Sequence, residues 1–226
     1  RMRVHLSEKG PAMAIISTEG MSLLIGVTFD VAKPVTAIAN GENPVADCAG
    51  HDFQNGDELL VISPWEGLSS TIVRAVNVAA GKVGLSGVDT SNTGFFAPGG
   101  GAGSTLAKIT KWVEIPQVTK YEPSGGDPVY KSRKFLKRRN AMTYPTGAFE
   151  PTKIPVTMMY DPNDANYKEL LKKSRATAKV AYKQLLSNGS ATYAYGWFVI
   201  KETPVPDDGD LITTRTFSAE GLITSF

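Results

Sequence analysis

Apolar residues in this chain come in short runs, and each run is closed by glycine, asparagine, aspartate or proline. Gly20–Phe29 is one such run. Glu58–Ser63 follows the turn Asn55-Gly56-Asp57, and Thr71–Val78 is followed by Ala79-Ala80-Gly81-Lys82 and Val83-Gly84-Leu85. Ile154–Tyr160 and Leu211–Glu220 repeat the pattern. Val180–Leu186 and Ala191–Ile200 flank Ser187-Asn188-Gly189-Ser190, where Asn-Gly supplies the positive φ of a hairpin turn. Runs of this length bounded by turn residues read as strands. One stretch alone carries helix signals. Asp161 is placed to cap, Pro162 fits the first helical position, and Asp164 lies in the first turn, where the helix dipole favours an anion. Tyr167, Leu170, Leu171 and Ser174 form a narrow inward stripe, with Lys168, Lys172 and Lys173 outside. The expected fold class is all-β with one flanking helix over 162–174.

A chain of 226 residues, 42% hydrophobic and 20% charged, can bury one large β domain, or a compact domain carrying a small inserted one. The texture favours the second arrangement. Residues 1–34 read as an arm and a first strand that ends at Pro34. Residues 35–104 read as a small β barrel or meander that closes in a flexible glycine-rich linker, Ala97–Ser104. Residues 105–226 form the main β domain. Within it, Leu106–Glu122 reads as one long strand bent near Pro116. Ser124-Gly125-Gly126-Asp127-Pro128 is a turn, and Val129 begins another strand. Arg138–Pro151, with Pro145, Gly147 and Pro151 and little periodicity, reads as a long loop that orders on contact.

Little in the sequence points to chemistry. One cysteine, Cys48, makes neither an internal disulfide nor a cysteine-rich zinc site, and it fits a reducing compartment. His51 lies near Cys48, Asp47 and Asp52, but no second pair completes a tetrahedron. Gly99-Gly100-Gly101-Ala102-Gly103-Ser104-Thr105 lacks the Gly-Lys-Ser/Thr ending of a phosphate loop, and a strand follows it where a helix would start. Ser86 has glycines at the wrong spacing for a nucleophile elbow. The adjacent acids Asp57-Glu58 and Asp207-Asp208 sit in turns, where carboxylates are normally solvated. No apolar run reaches the length of a membrane span, and no signal peptide is evident. An enzyme is not expected, and no catalytic, metal or cofactor-binding residue is assigned. With a net charge of +2, charge has to be read locally.

The strongest local feature is basic. Lys131, Arg133, Lys134, Lys137, Arg138 and Arg139 surround Phe135 and Leu136. The run could meet phosphates, meet an acidic surface on a partner subunit, or be a solvated strand face whose lysines discourage edge pairing. Tyr193, Tyr195, Trp197 and Val199 share one strand face. That face could stack bases or form core or oligomer interface.

The order of elements in the second half resembles the tail tube proteins of lambda-like siphophages. It is a long strand (Trp112–Glu122), a glycine-rich turn (Ser124-Gly125-Gly126), a strand and long loop (Lys131–Pro151), a strand (Ile154–Tyr160), a Tyr-Asp-Pro helix start with its Leu-Leu helix, an Asn-Gly hairpin with Gly196-Trp197, and a threonine-rich last strand. Cys48–Phe53, Asn55-Gly56-Asp57, Ser63–Leu68 and Gly87–Thr90 resemble a small β insertion carried by some of these proteins. The resemblance implies a β-sandwich tail tube fold with an inserted small β subdomain. It also implies hexameric rings that stack into a hollow tube, with a tape-measure protein in the lumen and tail tip and tail terminator proteins as partners. DNA would pass without specific binding, no membrane would be involved, and assembly in the host cytoplasm would yield a virion tail. By position, Lys131, Arg133, Lys134, Phe135, Leu136, Lys137, Arg138, Arg139, Tyr144 and Phe149 would make inter-subunit contacts, with the cations turned away from the lumen. A terminator or completion protein of the same particle, or a carbohydrate-binding sandwich using Trp65 and Trp197, are the competing readings.

Overall fold

The structure, a computed structural model, describes residues 20–134, 136 and 140–226. After β1 (Ser22–Phe29) come β2 (Lys33–Pro34), β3 (Ala37–Ile38), β4 (Val45–Asp47), β5 (Glu58–Ile62), β6 (Thr71–Ala79) and β7 (Lys82–Ser86). Next come β8 (Thr105–Glu114), β9 (Val118–Tyr121), β10 (Pro128–Arg133), β11 (Met142–Phe149) and β12 (Lys153–Met159). The helix α1 (Ala165–Arg175) leads to β13 (Lys179–Leu185), β14 (Ala191–Ile200), β15 (Val205–Asp207), β16 (Asp210–Ala219) and β17 (Thr224–Ser225). The described residues are therefore nearly all β with one helix, as the run lengths predict.

One antiparallel path runs β3-β4-β7-β6-β5-β8-β1-β13-β14-β16-β12-β9. It twists and folds over itself, because alternate side chains of each strand need apolar company on one face. Leu23, Ile25, Val113, Val156, Met158, Val180, Tyr182, Phe198 and Phe217 fill the main core, and Tyr167 and Leu170 of α1 cover it. A second core, with Leu59, Val61, Trp65, Leu68, Val73, Val83, Leu85 and Leu106, lies wholly between residues 35 and 106. A third cluster joins the two across the outer face of β13 and β14. It contains Leu60, Ile72, Ile109, Ala181 and Tyr193. Gly26 permits that junction: a Cβ there would stand 2.9 Å from both Ala181 Cβ and Ile109 Cγ2.

Strand β8 belongs to both halves. Its first residues pair with β5, Thr105 facing Ile62 and Lys108 facing Leu59. Its later residues pair with β1, Ile109 facing Phe29 and Glu114 facing Leu24.

Three local expectations change. The helix starts at Ala165, not 162. Asp164 is the cap and accepts from Tyr167 N at 2.6 Å, while Asp161 closes a turn on Asn163 N at 2.8 Å. Both aspartates can fold back on the backbone, and the one nearer the buried Tyr167–Leu170 stripe starts the helix. The expected strand Leu106–Glu122 is two strands with different partners, broken at Ile115–Gln117, where Gln117 has φ +50°. The glycine-rich Ala97–Ser104 segment is packed rather than a free linker. Ala97 O accepts from Trp65 Nε1 at 3.1 Å, and Gly101 is buried where a Cβ would press on Trp65 and Ile38 at 2.9 Å. Glycine serves close approach here.

Candidate assembly surface

Strands β9 and β12 are the near end of a two-stranded ribbon. Tyr121 faces Val156, a bridge joins Ser124 to Lys153, and Gly126 N donates to Glu150 O at 3.0 Å. The ribbon then continues as β10 and β11, from Pro128 facing Phe149 to Arg133 facing Met142. β12 is held in the sheet by β16 from Met159 facing Ile212 to Lys153 facing Ser218. Beyond Lys153 the ribbon pairs, among the described residues, only with itself. The sequence reading of Arg138–Pro151 as a loop is thus corrected, since Met142–Phe149 is a strand.

Nearly every described side chain of this free half is exposed. Tyr130 is 59% exposed, Tyr144 37%, Phe149 68%, and Leu136 is fully exposed. Lys131, Arg133 and Lys134 are exposed too, and they form no ion pair among the described residues. Lys131 faces Tyr144 across the ribbon. Phe135, Lys137, Arg138 and Arg139, the remaining predicted contact residues, lie outside the described residues. Large apolar groups therefore stand exposed beside cations that are unpaired among the described residues, a combination that commonly marks a contact surface.

At the ribbon's root lies an open cleft of about 830 Å³, lined among others by Gly67, Phe95, Phe149, Pro151, Leu222 and Ile223. Phe95 is 64% exposed and Leu222 52%. Sequence reasoning missed this surface. The Phe95-Phe96 pair offers a signal, yet only Phe96 turns inward, edge-on to Trp65 at 5.5 Å.

The aromatic face of β14 divides. Tyr193 is fully buried in the junction cluster, edge-on to Trp112 and Phe226. Its hydroxyl donates to Glu58 Oε1 at 2.5 Å and accepts from Arg74 at 3.3 Å. Lys183 Nζ meets the same carboxylate at 2.7 Å. Burial first, then the Glu58 bond, raises the Tyr193 pKa well above that of a free phenol, so it stays a donor. This polar group joins the two halves of the molecule with its partners satisfied. Farther along the strand, Trp197 and Val199 are exposed. Gly196, just before Trp197, has no room for a Cβ, which would run into the Ser218 carbonyl oxygen. The side of β12, β14 and β16 away from the core carries Pro155, Thr157, Met159, Trp197, Val199, Thr214, Thr216 and Ser218, a face without charge between its end residues.

One buried cation is unexplained by any of this. Arg215 is fully buried facing Val156, and no guanidinium nitrogen has a hydrogen-bond partner among the described residues. It lies 5.3 Å over the Tyr167 ring, and desolvation pulls its pKa down to about 10.

His51 stacks on Phe53, and Cys48 is buried, which raises its thiol pKa. Among the described residues no group of three or more acidic, histidine or cysteine side chains could hold a metal, and no helix is long and apolar enough to cross a membrane.

No curated protein matches the chain. A family model described as phage tail tube protein, TTP, matches residues 63–226. That stretch contains the ribbon, the helix, every strand of the main core except β1, and the second half of the small unit. The chain belongs to the phage tail tube protein family, a structural component of the virion tail that assembles into a tube with other tail proteins.

Proposed function

We propose that copies of this subunit close into hexameric rings, and that the rings stack into the hollow conduit of a lambda-like siphophage tail. The observation that carries this reading is the free half of the ribbon. Among the described residues it is a strand pair with no sheet neighbour, and Tyr130, Leu136, Tyr144 and Phe149 are exposed on it, which fits covering by a neighbouring copy. On this reading Lys131, Arg133, Lys134, Phe135, Leu136, Lys137, Arg138, Arg139, Tyr144 and Phe149 meet the next subunit or ring. A β unit of residues 35–104 decorates a tube domain built from residues 1–34 and 105–226. The subunits assemble in the host cytoplasm around a tape-measure protein, between a tail tip and a tail terminator, and DNA later takes the same path.

A wall that passes DNA must not hold it. Cations there would trap phosphates, and the uncharged face of β12, β14 and β16 supports a role as that wall. The test is to concentrate purified protein and image it by electron microscopy. Hollow tubes or six-fold rings are expected from the native chain, and monomers alone from a variant with Tyr130, Tyr144 and Phe149 changed to Ser. A native chain that stays monomeric at high concentration, even with a tail tip as seed, rules the proposal out.

A further inference from the structure

Two surfaces away from the ribbon carry opposite, unpaired charge. The first is a cleft of about 580 Å³ between α1 and the strands beneath it, lined by Lys111, Lys168, Glu169, Lys172 and Lys173 among others. Lys111 is bound to Glu169 at 2.6 Å. Lys168, Lys172 and Lys173 have no carboxylate partner among the described residues. The concavity matters: like charges held around a hollow create a stronger local potential than the same charges on a convex face.

The second surface is the turn joining β15 to β16. Asp207 faces Asp210, and Asp208 and Gly209 carry φ of +47° and +91°, a two-residue hairpin turn of the tight kind. Asp207, Asp208 and Asp210 are all exposed, and none is paired among the described residues. The rigid turn therefore holds three carboxylates together, with exposed Val205 and Leu211 beside them. Within one chain no ion pair links the two surfaces among the described residues. The turn is tied to the start of the helix segment, where Tyr160 N donates to Leu211 O at 2.8 Å. Lys172 and Lys173 lie in the helix's last turn, and an 11-residue helix is about 16 Å long.

We infer that the acidic Asp207–Asp210 turn of one copy docks in the lysine cleft of the next. The contact is heterologous, since each copy offers a turn to one neighbour and a cleft to the other, and a contact of this kind closes a ring where the rotation between neighbours is an exact fraction of a turn, as in the hexamer proposed above. It rests on the ring reading above but on different residues from the ribbon.

Charge exchange tests it. One variant carries Asp207→Lys, Asp208→Asn and Asp210→Lys, with Asn at 208 because its backbone lies at positive φ. The other carries Lys168→Glu, Lys172→Glu and Lys173→Glu. Each variant alone is expected to remain folded by circular dichroism and to lose tubes at physiological salt. An equal mixture of the two is expected to recover them, because every turn then finds a cleft of opposite sign in an alternating ring. A single chain carrying both sets of changes should also assemble. Native protein forming tubes while both variants assemble unaided would overturn the docking and leave the ring reading standing. Loss without recovery in the mixture and in the doubly changed chain would overturn it too. A native chain that never forms tubes overturns both.

Discussion

The two halves of the ribbon have the same backbone pairing and opposite surroundings. In β12, Ile154, Val156 and Met158 are buried under the main core while the residues between them are not, a clean alternation. In β10, farther along the same ribbon, nothing alternates, because neither face is covered. Strand pairing alone therefore does not account for the stability of this ribbon. The near half is held by apolar burial, and the far half by its attachment to the near half. On the ring reading, the far half is the part that a neighbouring copy covers.

That contrast can be broken by substitution, measured as unfolding free energy in urea. Met158→Ala, in the covered half, is expected to lose about 2–5 kcal/mol, the usual cost of emptying a buried site. Arg215→Met, opposite Val156 on the covered side, is expected to gain about 1–4 kcal/mol, because an unpartnered buried cation is removed and apolar volume kept; a loss would mean that the guanidinium has a hidden partner. Asp164→Ala removes the cap of the covering helix and is expected to cost about 1 kcal/mol, read as a lower thermal midpoint. Changing Tyr130, Tyr144 and Phe149 together to Ser, in the open half, is expected to shift monomer stability by no more than about 0.5 kcal/mol. A large loss from that last change would place the open half inside the monomer's own core and dissolve the comparison.

The same contrast explains what the sequence disclosed. Strands such as Glu58–Ile62, Lys179–Leu185 and Ala191–Ile200 were legible to within a residue because burial imposes runs and alternation, and Asn188-Gly189 marks its hairpin chemically. Met142–Phe149 was not legible, because Pro145 and Gly147 interrupt it and its apolar residues show little periodicity, so it reads as a loop. The basic residues Lys131, Arg133 and Lys134 were visible as a cluster, yet composition could not say that they stand on a free ribbon. Nor could it divide Tyr193 from Trp197, since both lie on the same face of β14. Which of them is buried depends on where the small unit packs, a contact made by Leu60 and Ile72 from far away in sequence. The helix start slipped by three residues because two aspartates competed for it, and the choice was made by packing.

One feature of the sheet bears on how such a chain could change over generations. Phe29 faces Ile109, and Asp30 N donates to Lys108 O at 2.8 Å, so the backbone departs β1 and returns on β8 at adjacent points. In topological terms this is an ordinary hairpin whose connecting excursion happens to hold an entire module. Closure entropy rises only logarithmically, by about 0.6 kcal/mol for each doubling of the excursion. Descendants could therefore enlarge, trim or exchange that module at small cost, provided the apolar patch around Ala181 and Tyr193 is given something else to lie against.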